Sequence, residues 1–237
     1  RLVDQLAYRR FRRIICISEG VAESLRPWVG KALASRVSVI QNGSRTYRLV
    51  NRRPIRGRLP RLVGVGSLTR QKNFQVSLQA MAEIKDEIER FDIIGTGPQR
   101  TLLAKSVKLL GLEDKVRLLG WSNCVERHYH EADIQIIPSS YEGFGLVAVE
   151  GMSTGLLVVG SRVPGLDEVL DASNFSTILV DNPNEIMQWV GAIREGVRRL
   201  DTDGNRVRAS ARRRALSFSF PKMVSEYEAL YRSLCSS

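Results

Sequence analysis

The sequence predicts a doubly wound α/β domain with a parallel sheet, and three observations carry that expectation. Short apolar runs alternate with amphipathic segments from Arg61 onward, the pattern of strand, crossover helix, strand. The strand candidates are continuously apolar rather than alternating, as befits a sheet covered on both faces. Three of them run into glycine-bearing loops where the next helix should start.

Taken in order, RRIICIS reads as a strand, EGVAESLRPWV as a helix and VSVIQNG as a strand ending in an Asn-Gly turn. The segment RTYRLVNRRPIRGRLP, residues 45–60, is basic and proline-bearing, which suits a linker. Six strands follow: RLVGVGS, FDIIG, KVRLLG, DIQIIPSS, LLVVGS and STILVD. The segments between them are NFQVSLQAMAEIKDEIE, PQRTLLAKSVKLLGL, SNCVERHYHEA, GLVAVEGMSTG and PGLDEVL, so residues 61–182 make the main domain. Beyond it, PNEIMQWVGAIREGVRRL is an amphipathic helix with Pro183 in its first turn. NRVRASARRRALSF and PKMVSEYEALYRSL are two more, and residues 183–237 are expected to pack on the main domain. The chain opens on Arg1 in what reads as mid-fold helix, so residues 1–44 are expected to close a preceding domain.

Composition narrows the function. With 237 residues, 43% of them hydrophobic and 26% charged, the chain can bury a large core. No apolar run approaches the roughly 20 residues of a membrane-spanning helix, and a cytoplasmic protein is expected. Cys16, Cys124 and Cys235 share no metal or redox spacing and read as small buried hydrophobes in a reducing compartment. The net charge of +11 favours polyanionic or anionic-surface partners. Arginines cluster at 9–13, at 45–58 and at 206–214, and few aromatics interleave with them. No nucleic-acid partner is therefore expected, and the two readings of the clusters are a solvated face and attraction to an anionic membrane.

In open α/β sheets ligands bind beyond the carboxyl ends of the strands. VGVGSLTRQKN, IIGTGPQ and SSYEGFGLVAVE occupy three such ends. Glycines there, Gly97, Gly143 and Gly145 among them, let backbone approach a ligand, and helix N-termini offer free N–H groups to phosphate. Arg70 and Lys72 in the first loop can neutralise phosphate charge. Glu142 sits just before the Gly-Phe-Gly turn, and Glu150, separated from it by seven residues, stands inside an otherwise apolar helix. Ionised carboxylates are rarely buried without donors, and a vicinal diol supplies two. Glu150 is thus a candidate for ribose hydroxyls and Glu142 for sugar hydroxyls.

The order VGSLTRQKN, IIGTGPQ, VRLLGW, IIPSSYEGFGLVAVEGMSTG, VPGLDEVL resembles the C-terminal donor-binding domain of glycosyltransferase family 4, the group 1 glycosyltransferases of the GT-B fold. SVIQNGS resembles the same family's crossing between domains, and Glu-x7-Glu in EGFGLVAVE is the most specific element. The resemblance implies a Rossmann-like donor domain with the tail end of a second one, and retaining transfer of a sugar from a nucleotide diphosphate. It implies that Glu142 contacts the transferred sugar and Glu150 the ribose, that the amides around Phe144, Gly145 and Leu146 face the sugar and diphosphate, and that Lys72 neutralises the diphosphate. Residues near Leu119 and Gly120 would line the base pocket. Ser67 departs from the family, which usually has a diphosphate-binding arginine there, and Arg70 is the candidate replacement. EGMS also replaces the common EAMA. The expected acceptor is a lipid-linked sugar in surface-polysaccharide or glycolipid assembly, at an anionic membrane face. A non-catalytic nucleotide-sugar-binding module of the same fold is the alternative.

Two further constellations suggest metal. Asp201-Thr202-Asp203 precedes Gly204 and reads as a turn between helices. His128 and His130, at i and i+2 on a helix, face apart, so their segment is expected to be a surface helix. No metal or other cofactor is expected at the donor site.

Overall fold

The computed structural model describes residues 8–50, 52 and 54–236. The opening of the expected first helix (residues 1–7) and Arg53 of the second arginine cluster lie outside them. The six apolar runs form strands β3 (Arg61–Val65), β4 (Arg90–Ile94), β5 (Val116–Gly120), β6 (Ile134–Ile137), β7 (Leu157–Ser161) and β8 (Thr177–Val180). They lie in one parallel sheet ordered β5-β4-β3-β6-β7-β8. Strands after β3 are added on one side and strands from β6 on the other, so the order reverses between β3 and β6. Loops leaving those two strands diverge and open a crevice at their carboxyl ends.

Helices α3 (Phe74–Glu83), α4 (Arg100–Leu109), α5 (Val125–Glu131), α6 (Leu146–Ser153), α7 (Leu166–Leu170), α8 (Ile186–Leu216) and α9 (Phe220–Cys235) cover the sheet. Alternate strand residues serve opposite faces. Leu62, Phe91, Ile93, Ile134 and Ile136 pack with Leu78 and Met81 of α3 and Trp189 and Ile193 of α8. Val63 and Ile94 face the other way, onto Tyr129 of α5 and Leu156.

As expected, two helical segments meet at a break here: within α8, Asp203 leaves the helical conformation (φ −150°, ψ 64°). Asp203 Oδ1 accepts from the Arg206 amide at 3.0 Å, replacing a helical backbone bond and capping the second half. The kink carries α8 from the Trp189 cluster to the cluster of Phe144 and Met152, where Ala211 and Ala215 are buried.

Residues before the main domain form a small layer of β1 (Ile14–Cys16), α1 (Glu19–Val29), α2 (Lys31–Ala34) and β2 (Val37–Val39), with β1 and β2 parallel. Helix α9 returns to this layer. The backbone of Gly43 passes against Phe220, Ser44 bridges Ser219, and Arg12 donates to the Leu234 carbonyl at 2.9 Å.

The described residues of 45–60, expected as a basic linker, are strapped onto the main domain. Ile55 joins the core, and Arg58 forms a two-pronged ion pair with Asp133 at 2.6 and 2.8 Å. Arg52 is buried and donates to the carbonyls of Tyr129, His130, Ala132 and Thr154. Burial lowers its pKa to about 10. Part of the second and third arginine clusters is therefore drawn into the fold, while all four arginines of the first cluster, with Arg45, Arg48, Arg56, Arg206 and Arg213, stay exposed. Arg212 donates to the Tyr47 and Ser153 carbonyls, Arg214 to those of Val169 and Glu168, and Arg206 lies 4.2 Å over the Phe175 ring. Of the cysteines read as buried, Cys16 is; Cys124 and Cys235 are exposed, at a helix start and a helix end where nothing packs over them.

Candidate functional site

Three loops meet at the reversal between β3 and β6. The loop after β3 is tied to the loop after β6 by the Ser140 amide, which donates to the Gln71 carbonyl at 2.8 Å, and by the Gln71 side chain, which donates to the Tyr141 carbonyl at 3.0 Å. The loop after β7 presses on the loop after β6, because Gly165 (φ +85°) would place a Cβ 2.7 Å from the Glu142 and Gly143 carbonyl oxygens. Only glycine fits there.

Lys72 and Glu142, from different strands, converge in this crevice with Nζ and Oε2 2.5 Å apart, and the Ser139 hydroxyl donates to the same oxygen at 3.2 Å. Both side chains are more than four-fifths buried, at 16% and 12% exposure, so the pair is shielded from bulk solvent. The lysine stem lies along Gly66, its carbons 3.5–3.6 Å from where a Cβ would stand. Arg70 is exposed one turn away on the same loop, and Ser67 is exposed as well.

Gly145 adopts a left-handed conformation (φ +96°) and opens α6 with no side-chain cap. Among the described residues, the amides of Gly143, Phe144 and Leu146 take no backbone acceptor outside the helix ladder. The Phe144 ring turns inward, edge-on to Phe218 at 5.4 Å, so only its backbone faces the crevice. Leu146 is 37% exposed at the helix start. An uncapped N-terminus carries unpaired donors and partial positive charge, which suits an anion.

Glu150 lies one turn into α6, half-buried, and its carboxyl pKa is raised by burial against an opposing hydrogen bond from Tyr129 and the charge of Arg45. Tyr129 is fully buried and its hydroxyl lies 3.2 Å from Glu150 Oε2. The segment expected as a surface helix is thus half internal, since α5 turns Tyr129 into the sheet while His130 stays at the surface against the Arg48 carbonyl at 3.2 Å. Tyr47 of the strap lies beside it, ring centroids 6.1 Å apart, and its amide is held by the Ser153 hydroxyl at 2.8 Å. Burial and Glu150 raise the Tyr47 pKa.

Toward β5 the glycines serve the sheet as well as any ligand. A Cβ on Gly95 would lie 1.9 Å from the Gly66 carbonyl oxygen, and one on Gly97 2.5 Å from that of Leu68. Close contact between the β3 and β4 loops thus explains Gly97. Gly120 (φ +76°) ends β5 with its carbonyl accepting from the Gly95 amide at 2.7 Å, and Leu119 beside it is 40% exposed. The glycine after Glu150 also has a steric reason. A Cβ on Gly151 would lie 2.0 Å from the amide oxygen of Gln135, which is fully buried on β6. That contact accounts for EGMS in place of EAMA.

The preceding layer reaches the same loop. Ser18, buried at the start of α1, donates to the Gly143 carbonyl at 2.7 Å, and the Glu168 carboxylate accepts from the Glu19 and Gly20 amides at 2.9 and 2.7 Å. Sequence reading named Glu142, Lys72 and Glu150 but missed Ser18, Tyr47, Tyr129, Gln135 and Ser139. Ser139 opens the SSYEGFGLVAVE stretch without standing out in it, and only the tertiary fold brings the other four to the loop. Asp201 and Asp203 lie at the kink in α8, and no group of three or more potential metal ligands occurs among the described residues.

A six-stranded parallel sheet of this order, with three loops converging at its switch point, defines an α/β domain of the GT-B type, and solved structures agree. Sucrose-phosphate synthase from Thermosynechococcus elongatus matches with a TM-score of 0.84 and 25% identity, over 99% of this chain and 61% of that one. Anabaena HepE, solved with UDP and glucose, matches with a TM-score of 0.78 and 20% identity, over 98% of this chain and 65% of that one. The family described as Glycosyl transferases group 1 matches residues 59–198. A D-inositol 3-phosphate glycosyltransferase from Corynebacterium urealyticum is 32% identical over 186 residues, covering 72% of this chain and 42% of that protein. The chain belongs to the group 1 glycosyltransferase family. It spans less than half the length of the curated relatives it matches, 44% and 34% for two of them.

Proposed function

We propose that this chain is the donor-binding portion of a retaining glycosyltransferase that takes a hexose from a nucleotide diphosphate sugar. The observation that carries the reading is the pair of glutamates bracketing the uncapped start of α6, with Lys72 held against the first of them. Glu150 accepts the ribose diol, the diphosphate meets the α6 amides with Lys72 and Arg70, and Glu142 accepts from hydroxyls of the sugar. An ammonium has three protons, so Lys72 can keep Glu142 and still reach a diphosphate oxygen. Preorganised positive charge at the leaving group stabilises the transition state without reorganisation. Leu119 and Gly120 border the base. The UDP and glucose in the HepE structure support a nucleotide-sugar donor. Retention rests on the family resemblance.

The donor's charge is met by Lys72, Arg70 and the helix start, so the proposed reaction needs no divalent ion, and donor affinity unchanged by EDTA is the expected result. We further propose a lipid-linked acceptor at an anionic membrane face. No helix among the described residues is long and apolar enough to cross a membrane. Exposed Arg45, Arg48 and Arg56 remain available to lipid phosphates, and sedimentation with vesicles containing acidic lipid tests this. The absent arginine at Ser67 favours one competing reading, a module that binds donor without turnover. The decisive assay measures donor consumption by the complete protein and its Glu142→Ala variant. Activity lost in the variant supports transfer, and equal consumption by both removes Glu142 from the chemistry.

A further inference from the structure

Glu150 is held by a side chain from a different element. The Tyr129 hydroxyl, on α5, has Glu150 Oε2 at 3.2 Å and the Val147 carbonyl at 3.4 Å. A phenol has one proton to give, and the shorter contact is to a carboxylate, the stronger acceptor. Tyr129 has no water to turn to, being completely buried. Behind it Gln135 donates to the Val147 carbonyl at 3.0 Å, in space that exists because residue 151 is glycine. On the solvent side the strap places Tyr47 against the Tyr129 ring, pinned through the Ser153 hydroxyl, whose own proton goes to the Glu150 carbonyl at 2.6 Å. Strand β6, helices α5 and α6 and the strap thus enclose one edge of the carboxylate.

We propose that Tyr129 is a positioning residue that fixes Oε2 of Glu150, so that Oε1 is presented to the vicinal diol of a nucleoside diphosphate donor. This inference rests on the reading in which Glu150 accepts from the ribose. A carboxylate free to rotate loses rotamer entropy when it binds, whereas one already oriented does not. The charged and titratable groups facing Glu150 are Tyr129 on α5 and Tyr47 and Arg45 on the strap, with Cys124 and Glu126 next to Tyr47. Burial raises the carboxyl pKa, and the Tyr129 proton and Arg45 charge oppose it. Removing the hydroxyl leaves burial less opposed, so the carboxyl stays protonated to higher pH and accepts poorly there.

The test uses the complete protein, its Tyr129→Phe variant and a Glu150→Gln reference. UDP, GDP and ADP are titrated calorimetrically from about pH 5 to about pH 8, upward from the ordinary carboxyl range, above which burial raises Glu150. Phenylalanine keeps the ring packing. For the nucleotide that binds, Tyr129→Phe is expected to weaken affinity about 3–10-fold near neutral pH, the loss of one hydrogen bond to a charged group. The acid-side loss of binding is also expected to move to higher pH, which a purely structural role would not produce. In the ligand-free protein, the Glu150 carboxyl resonance, assigned by Glu150→Gln, should titrate higher in the variant. Nucleotide affinity and pH profile equal to wild type would overturn the role of Tyr129 while leaving the donor reading intact. No binding of any of the three nucleotides to wild type would overturn the donor reading and the positioning role with it.

Discussion

Glu150 is a carboxylate placed where the fold alone does not favour it. Its folded pKa is raised by burial, so its contribution to stability is present below the unfolded value and is lost as pH rises through the folded one. At neutral pH the charge destabilises the empty domain. Glu150→Gln is therefore expected to raise Tm by about 2–4 °C at neutral pH, about 1 kcal/mol for a domain of this size. The same change should weaken nucleoside diphosphate binding about 10–100-fold, since bonds from two hydroxyls to a charged acceptor are lost. Calorimetry and thermal melts read both, and a stabilised variant with undiminished affinity would contradict the ribose role. Glu142 differs, being paired with Lys72 at 2.5 Å, and its proposed partner is the sugar. Glu142→Ala should keep nucleotide affinity within about 3-fold while transfer by the complete enzyme falls at least about 100-fold, the scale of losing a preorganised transition-state contact.

At the scale of elements, the crevice depends on backbones that nearly touch. Helix α6 can follow β6 closely because Gly151 leaves room for Gln135, and a methyl there would meet the amide oxygen at 2.0 Å. Gly151→Ala is expected to destabilise by about 1–3 kcal/mol in urea unfolding, the usual consequence of overpacking, although alanine is the better helix former. An increase in stability would show that Gln135 turns aside freely. Every strand of the sheet was legible beforehand, because continuous apolar runs of five or so residues between amphipathic segments have few other uses. The break in α8 was legible too, because Asp201-Thr202-Asp203-Gly204 carries turn chemistry, and Asp203 caps the second helical segment there. Tyr129 was not. Between two histidines it looks like part of a polar surface helix, and its burial follows from α5 lying over β3.

For the whole molecule, a minority of the clustered arginines ties the fold together, and most of them stay at the surface with the charge of +11. Arg52, Arg58, Arg212 and Arg214 bind carbonyls or a carboxylate and lash the strap and α8 to the sheet. Arg52→Ala would leave several buried carbonyls unpaired and is expected to lower stability by about 2–4 kcal/mol. Loss of the strap should also loosen Tyr47 over Glu150, so affinity for nucleotide should fall in the folded fraction. A variant as stable as wild type would show that the strap is not anchored there. Glu142, Glu150 and Lys72 were readable from the sequence as candidates. Their grouping was not readable from spacing alone, since Lys72 and Glu142 meet only through the order of the sheet. The most direct measurement is the thermal shift of the complete protein with UDP, GDP and ADP, beside its Glu150→Ala variant. At least one nucleotide should raise Tm of the wild type, by about 2.7 kcal/mol of stabilisation at 100-fold excess over Kd, and most of that rise should vanish in the variant. No shift with any of them, or an equal shift in both proteins, would contradict a donor site built on Glu150.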